Sequence, residues 1–188
     1  MPEINAIFPL PDYADLPDIE LYMDQVIILM EKFLGPSLSR DGKGLTPAMV
    51  NNYVKMKALP PPVRKRYTRS HLVYLLVLCT LKPVLPLHAV SEVLHSEISR
   101  MGEEAFYRKF REDMLRVSAL VSESVAPDDP SPSLAAYAPA ILHSAIAARA
   151  EQALAELLLA RLPEKAEPAK PAAKTASKAK ASAKESKI

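Results

Sequence analysis

The stretch from Leu45 to Tyr67, LTPAMVNNYVKMKALPPPVRKRY, leaves the backbone little choice. Thr46 is a good helix N-cap and Pro47 suits the first helical position, so a helix is expected to open there. Pro60-Pro61-Pro62 must close it, because a residue before proline is pushed out of the α region. On a helical wheel Met49, Val50, Tyr53, Val54 and Met56 gather on one side, and Ala48, Asn51, Asn52 and Lys55 on the other. The basic segment Val63-Arg64-Lys65-Arg66-Tyr67-Thr68 follows, with a second helix start expected at Thr68 or Ser70. A short helix with an amide-rich, cationic outer face, followed by a basic loop, is suited to a polyanion. DNA is the expected one.

The charge distribution sharpens this reading. A net charge of +2 conceals a partition: residues 1–41 carry eight acids and two bases, whereas residues 42–91 carry eight bases and no acid. Residues 92–162 carry eleven acids and seven bases, and residues 163–188 carry three acids and seven lysines. About a quarter of residues are ordinarily charged, so fifty in a row without a carboxylate is a strong bias towards an anionic partner.

Elsewhere apolar residues recur at three and four, and glycine is scarce at 4 of 188 residues, which predicts an all-α fold, a small helical bundle. Residues 1–14 read as part of an extended arm, bounded as 1–17. A helix is expected from Asp15-Leu16-Pro17-Asp18, with Ile19, Tyr22, Met23, Val26, Met30, Phe33 and Leu34 as its stripe and Gly35-Pro36 as its end. Ser37–Gly44 is a polar connection. Ser70–Lys82 is apolar nearly all round and should be the buried centre of the bundle. Pro86 can open a helix carrying Leu87, Val90, Val93, Leu94, Ile98 and Met101, with Gly102 as terminator. A helix from about Glu103 carries Phe106, Phe110, Met114, Val117 and Val121, and Ala126–Pro132 breaks it. A last helix, roughly Ser133 to Leu162, is expected to pack on the bundle or on a second copy through Leu154, Leu157, Leu158 and Arg161. Beyond Pro163 the Lys/Ala/Pro-rich tail cannot offset its ordering entropy by burial and is expected to be disordered.

Few other chemistries fit. Cys79 lies in an apolar run and reads as a small core hydrophobe. His71, His88, His95 and His143 are dispersed and form no convincing metal set, so no metal and no cofactor are expected. No glycine-rich phosphate loop, nucleophile elbow or pair of catalytic carboxylates is present, and an enzyme is not expected. The longest apolar run, Leu72–Leu81, is too short for a bilayer, and no membrane partner is expected. A single cysteine fits a reducing, cytoplasmic setting.

Two resemblances bear on these residues. Leu21-Tyr22-Met23-Asp24-Gln25, Leu45-Thr46 through Asn51-Asn52-Tyr53-Val54-Lys55, and Tyr67-Thr68-Arg69-Ser70-His71-Leu72 with Leu81-Lys82 resemble the bacterial domain of unknown function family 1836, over about residues 15–120. More distantly, Tyr53, Lys55, Leu59, Pro60 and Pro61, with Lys65-Arg66-Tyr67-Thr68 and Pro83-Val84-Leu85-Pro86-Leu87, resemble MerR-type winged helix-turn-helix regulators. Lys57 stands where those regulators usually have glycine. The likeness implies a DNA-binding winged helix-turn-helix region at 18–101, with 46–58 as the reading helix and 60–69 as the basic loop. Residues 102–162 are expected to mediate dimerisation or signal input, which makes homodimerisation one of two roles for them, and residues 163–188 form the tail. The expected function is a transcription regulator contacting DNA through Ala48, Asn51, Asn52, Lys55, Lys57, Arg64, Lys65, Arg66 and Arg69. The alternative is a protein-interaction adaptor that turns the same basic face towards an acidic partner.

Overall fold

Nine consecutive residues, His71 to Cys79, are buried, and they belong to one helix, Arg69–Leu81, on which three of the other helices pack. In the computed structural model, which describes residues 10–35, 44–123 and 134–162, the chain forms six α-helices and no strand among the described residues. They are α1 Met23–Leu34, α2 Pro47–Lys55, α3 Arg69–Leu81, α4 Leu87–Met101, α5 Glu103–Glu123 and α6 Leu134–Ala160. A 3-10 turn, Tyr13–Asp15, precedes them. Helices α1, α4 and α5 pack on α3, α2 packs on α1, α4 packs on α5, and the 3-10 turn sits against α5. The expected extended arm over its first nine residues, the connection at 36–43, the break at 124–133 and the tail from 163 lie outside the described residues.

Local chemistry explains most boundaries. Thr46 Oγ1 accepts from Met49 N–H at 3.3 Å, with Pro47 behind it, so α2 opens where the sequence places it. Thr68 caps α3, where His71 Nδ1 accepts from the Thr68 N–H at 3.0 Å and closes the first turn. Pro86 opens α4, and Gly102, at φ 84°, separates it from α5 in a backbone conformation that few other residues adopt.

The start of α1 is a correction to the sequence reading. The helix begins at Met23, not near Asp15–Asp18, because Leu21 is held extended: its N–H and C=O both bond Tyr67, each at 2.8 Å. Tyr22 then caps the helix, its N–H donating to Gln25 Oε1 at 2.8 Å. Ile19 consequently leaves the expected stripe and stands 65% exposed, while Val26, Met30 and Leu34 remain in the core. Met56, expected on the inner side of α2, is also turned outward.

Tyr53 and Tyr67 are core residues. The Tyr53 hydroxyl does not reach the rim as such a residue usually would; it is buried without a hydrogen-bond partner. Burial pushes the Cys79 thiol up to about 12, so at neutral pH it is an inert thiol within the core.

Candidate functional site

Helix α2 divides cleanly. Val50 and Tyr53 face the core, whereas Ala48, Asn51, Asn52 and Lys55 are exposed. Helical spacing puts those four within an arc of about 100°, so they form a single outward face. Neither Asn51 nor Asn52 is committed to the helix backbone; Asn52 Nδ2 makes only a long contact of 3.5 Å to Met56 Sδ.

The helix ends in a Schellman motif. Ala58 N–H donates to Tyr53 O at 2.9 Å and Lys57 N–H to Val54 O at 3.0 Å, with Met56 as C-cap. Lys57 occupies the left-handed position at φ 59°, which glycine normally fills. Ala58 and Leu59 then drop into the core and anchor the chain before the three prolines.

The basic segment closes in a two-residue turn. Arg66 N–H donates to Val63 O at 2.8 Å, and these two residues form an isolated antiparallel bridge. Arg64 and Lys65 sit between them at φ 49° and 63°, so both central residues are left-handed, as in a type I′ turn. Such turns favour Asn-Gly, because L residues with larger side chains are strained there. Here the two positions carry exposed cations. The returning chain is pinned at once by the Tyr67–Leu21 pairing.

The last two cations differ from the rest. The Arg66 guanidinium carbon lies 3.5 Å from the centroid of the Tyr22 ring, a cation–π contact that leaves the residue half-exposed. Arg69 turns back towards the N-terminal segment: its Nε donates to Leu16 O at 3.1 Å and its Nη2 lies 3.7 Å from Asp18. Arg69 is thus already bonded within the fold, whereas Ala48, Asn51, Asn52, Lys55, Lys57, Arg64 and Lys65 stand in solvent.

Two cation–π contacts near α2 and the turn escaped sequence reasoning. Tyr22 reads as part of an apolar stripe, and its role beneath Arg66 depends on the Leu21–Tyr67 pairing, which no local pattern reveals. Lys82, whose Nζ lies 5.6 Å from the Tyr53 ring centroid, brings a cation from the end of α3 against α2. Its signal was its place in the acid-free stretch.

These observations describe an all-helical domain that presents amides and cations from α2 and from a tight turn. The chain belongs to the family described as Domain of unknown function (DUF1836), whose model matches residues 11–110 and so spans every one of these elements from the 3-10 turn into α5. No curated protein and no solved structure matches the chain.

Proposed function

We propose that this protein is a non-enzymatic, cytoplasmic DNA-binding transcription regulator with a winged helix-turn-helix, MerR-like reading region. In this reading the outer face of α2 enters the major groove, and the Arg64-Lys65 turn, acting as a minimal wing, grips the flanking backbone. Asn51 and Asn52 are the amides suited to adenine, Ala48 can meet a thymine methyl, and Lys55 can reach guanine or a phosphate. Lys57, Arg64, Lys65 and Arg66 supply phosphate contacts. Two copies acting together would address a two-fold-symmetric site with half-sites about 34–36 Å apart.

The observation that carries the reading is the turn: its two most strained positions hold exposed cations where Asn-Gly would fold more readily. Backbone strain retained at such positions is a mark of function. Filter binding of fragments from the source genome at 50 and 200 mM salt tests it. The expected result is a preferred fragment and a steep loss of affinity with salt, by about a thousandfold for six phosphate contacts. Failure to retain any fragment at either salt would end the proposal.

A second reading, the adaptor, draws on the apolar groups exposed beside these cations: Val63 at 69%, Met56 at 54% and Ile19 at 65%. A protein partner that survives nuclease treatment would favour it.

A further inference from the structure

Helix α6 is apolar on nearly every side and yet lies in solvent. Leu142, Ile146, Leu154, Leu157 and Leu158 are each more than half exposed. They fall within an arc of about 160°, with His143, Ala147, Ala150 and Ala153 between them. Residues 137, 152, 155 and 159, on the opposite side, are half-buried, as is Ala140 at the edge of the arc, and Gln152 Nε2 donates to Val84 O at 3.0 Å, so that side leans on the turn between α3 and α4. A helix with this composition is ordinarily covered.

We propose that the uncovered side of α6 packs against α6 of a second copy of this chain. The charges on the helix favour a second copy over a charged partner: Arg149 and Arg161 balance Glu151 and Glu156, Arg149 already pairs with Glu156 at 3.5 Å, and residues 134–148 carry no charge. Its length favours it too, since 27 residues span about 40 Å. The exposed leucines and isoleucines offer on the order of 500 Å² per copy, or about 1,000 Å² for the pair, the low end of specific interfaces. The rest of the chain has little to lay over this side. Segments 36–43, 124–133 and 163–188 contain only Leu38, Val125 and Ile188 as large aliphatic residues, and residues 1–9, which carry Met1, Ile4, Ile7 and Phe8, reach at most about 30 Å, short of the length of the helix. No helix among the described residues is long and apolar enough to cross a membrane, which removes lipid as a spanning environment for this helix. An isologous contact, the same patch on both copies, is what a self-complementary apolar stripe produces.

The inference goes beyond the DNA reading and stands without it, so its test contains no nucleic acid. Sedimentation equilibrium of the full chain between 1 and 100 µM is compared with that of Leu142→Lys/Ile146→Glu/Leu157→Lys, whose sites are already exposed and whose helices are monitored by circular dichroism. The expected result is a dimer mass for the wild type and a monomer mass, with unchanged helicity, for the triple variant. A wild type that stays monomeric at 100 µM, or a triple variant that stays dimeric, would overturn the proposal. A dimer that persists when α6 carries three new charges would place the interface on another element.

Discussion

Three residues outside glycine have positive φ among the described residues, and all three are cations of the proposed interface: Lys57, Arg64 and Lys65. A left-handed L residue costs about 1–2 kcal/mol, so each position is one at which folding and the proposed binding pull in different directions. Lys57 shows the folding side. Lys57→Gly should raise stability by about 0.5–1 kcal/mol, because glycine meets the Schellman geometry without a Cβ clash. A lower urea midpoint for that variant would contradict the assigned cap. His71 is a residue of a different kind. Burial pushes its imidazole below the ordinary value of 6.5, an effect partly offset by the Pro61 carbonyl, by Glu103 and by the Pro60 carbonyl. Above pH 6.5 the ring is neutral whether the chain is folded or not. Below it the unfolded chain takes up a proton that the folded chain resists, so stability falls as pH drops from 6.5 towards the lower folded value. His71→Gln keeps a side-chain acceptor for the Thr68 N–H and should flatten this part of the profile. Urea midpoints for both proteins at pH 7.5 and 5.5 measure it, and equal losses would show that the ring takes no part.

Elements were legible to the extent that their signals are local. Caps place the starts of α2, α3 and α4 within a residue or two, and the unbroken apolar run of α3 announces its burial. But α2 ends at Lys55, three residues before the expected Ala58, because the Schellman motif at Met56–Ala58 closes it ahead of the prolines. The start of α1 was not legible, because pairing between Leu21 and Tyr67 joins residues far apart in sequence and overrides an apparent helical stripe. The turn at Arg64-Lys65 was equally hidden, since it contains none of the glycine or asparagine that usually betrays it. Arg69 carries both lessons. Its sequence context makes it one more basic contact, yet its guanidinium reaches Leu16 O and lies 5.1 Å from the Tyr13 ring centroid, where it helps fasten the N-terminal segment across α3. The pairing with Asp18 adds little, because that carboxylate is mostly in solvent. Losing the charge-assisted bond to Leu16 O should cost about 1.5–3 kcal/mol. Arg69→Ala should therefore lower stability and leave the salt dependence of DNA binding unchanged. A flattened salt dependence with unaltered stability would return Arg69 to the interface.

Across the whole molecule, the acid-free stretch of residues 42–91 contributes the exposed side of α2, the basic turn and the buried core helix. Its cations stay outward because α3 fills the interior with uncharged, mostly apolar side chains, and the carboxylates lie mainly in the N-terminal segment and in α4 and α5. Within those last two, ion pairs such as Arg100–Glu97 and Lys109–Asp113 satisfy charge locally and leave no comparable excess. If Asn51 reads bases, Asn51→Ala should bring the affinities for matched and scrambled sites closer together while keeping the salt slope. An undiminished gap between the two sites would rule that role out. The central claim, that the strained turn is retained for contact with DNA, is tested most directly by replacing Arg64-Lys65 with Asn-Gly and following both unfolding and binding. The account predicts a protein more stable by about 1 kcal/mol. It also predicts that the log–log salt slope of DNA affinity becomes shallower by about two, one unit for each phosphate that no longer meets a cation. A variant that binds DNA with the affinity and salt slope of the wild type would contradict it.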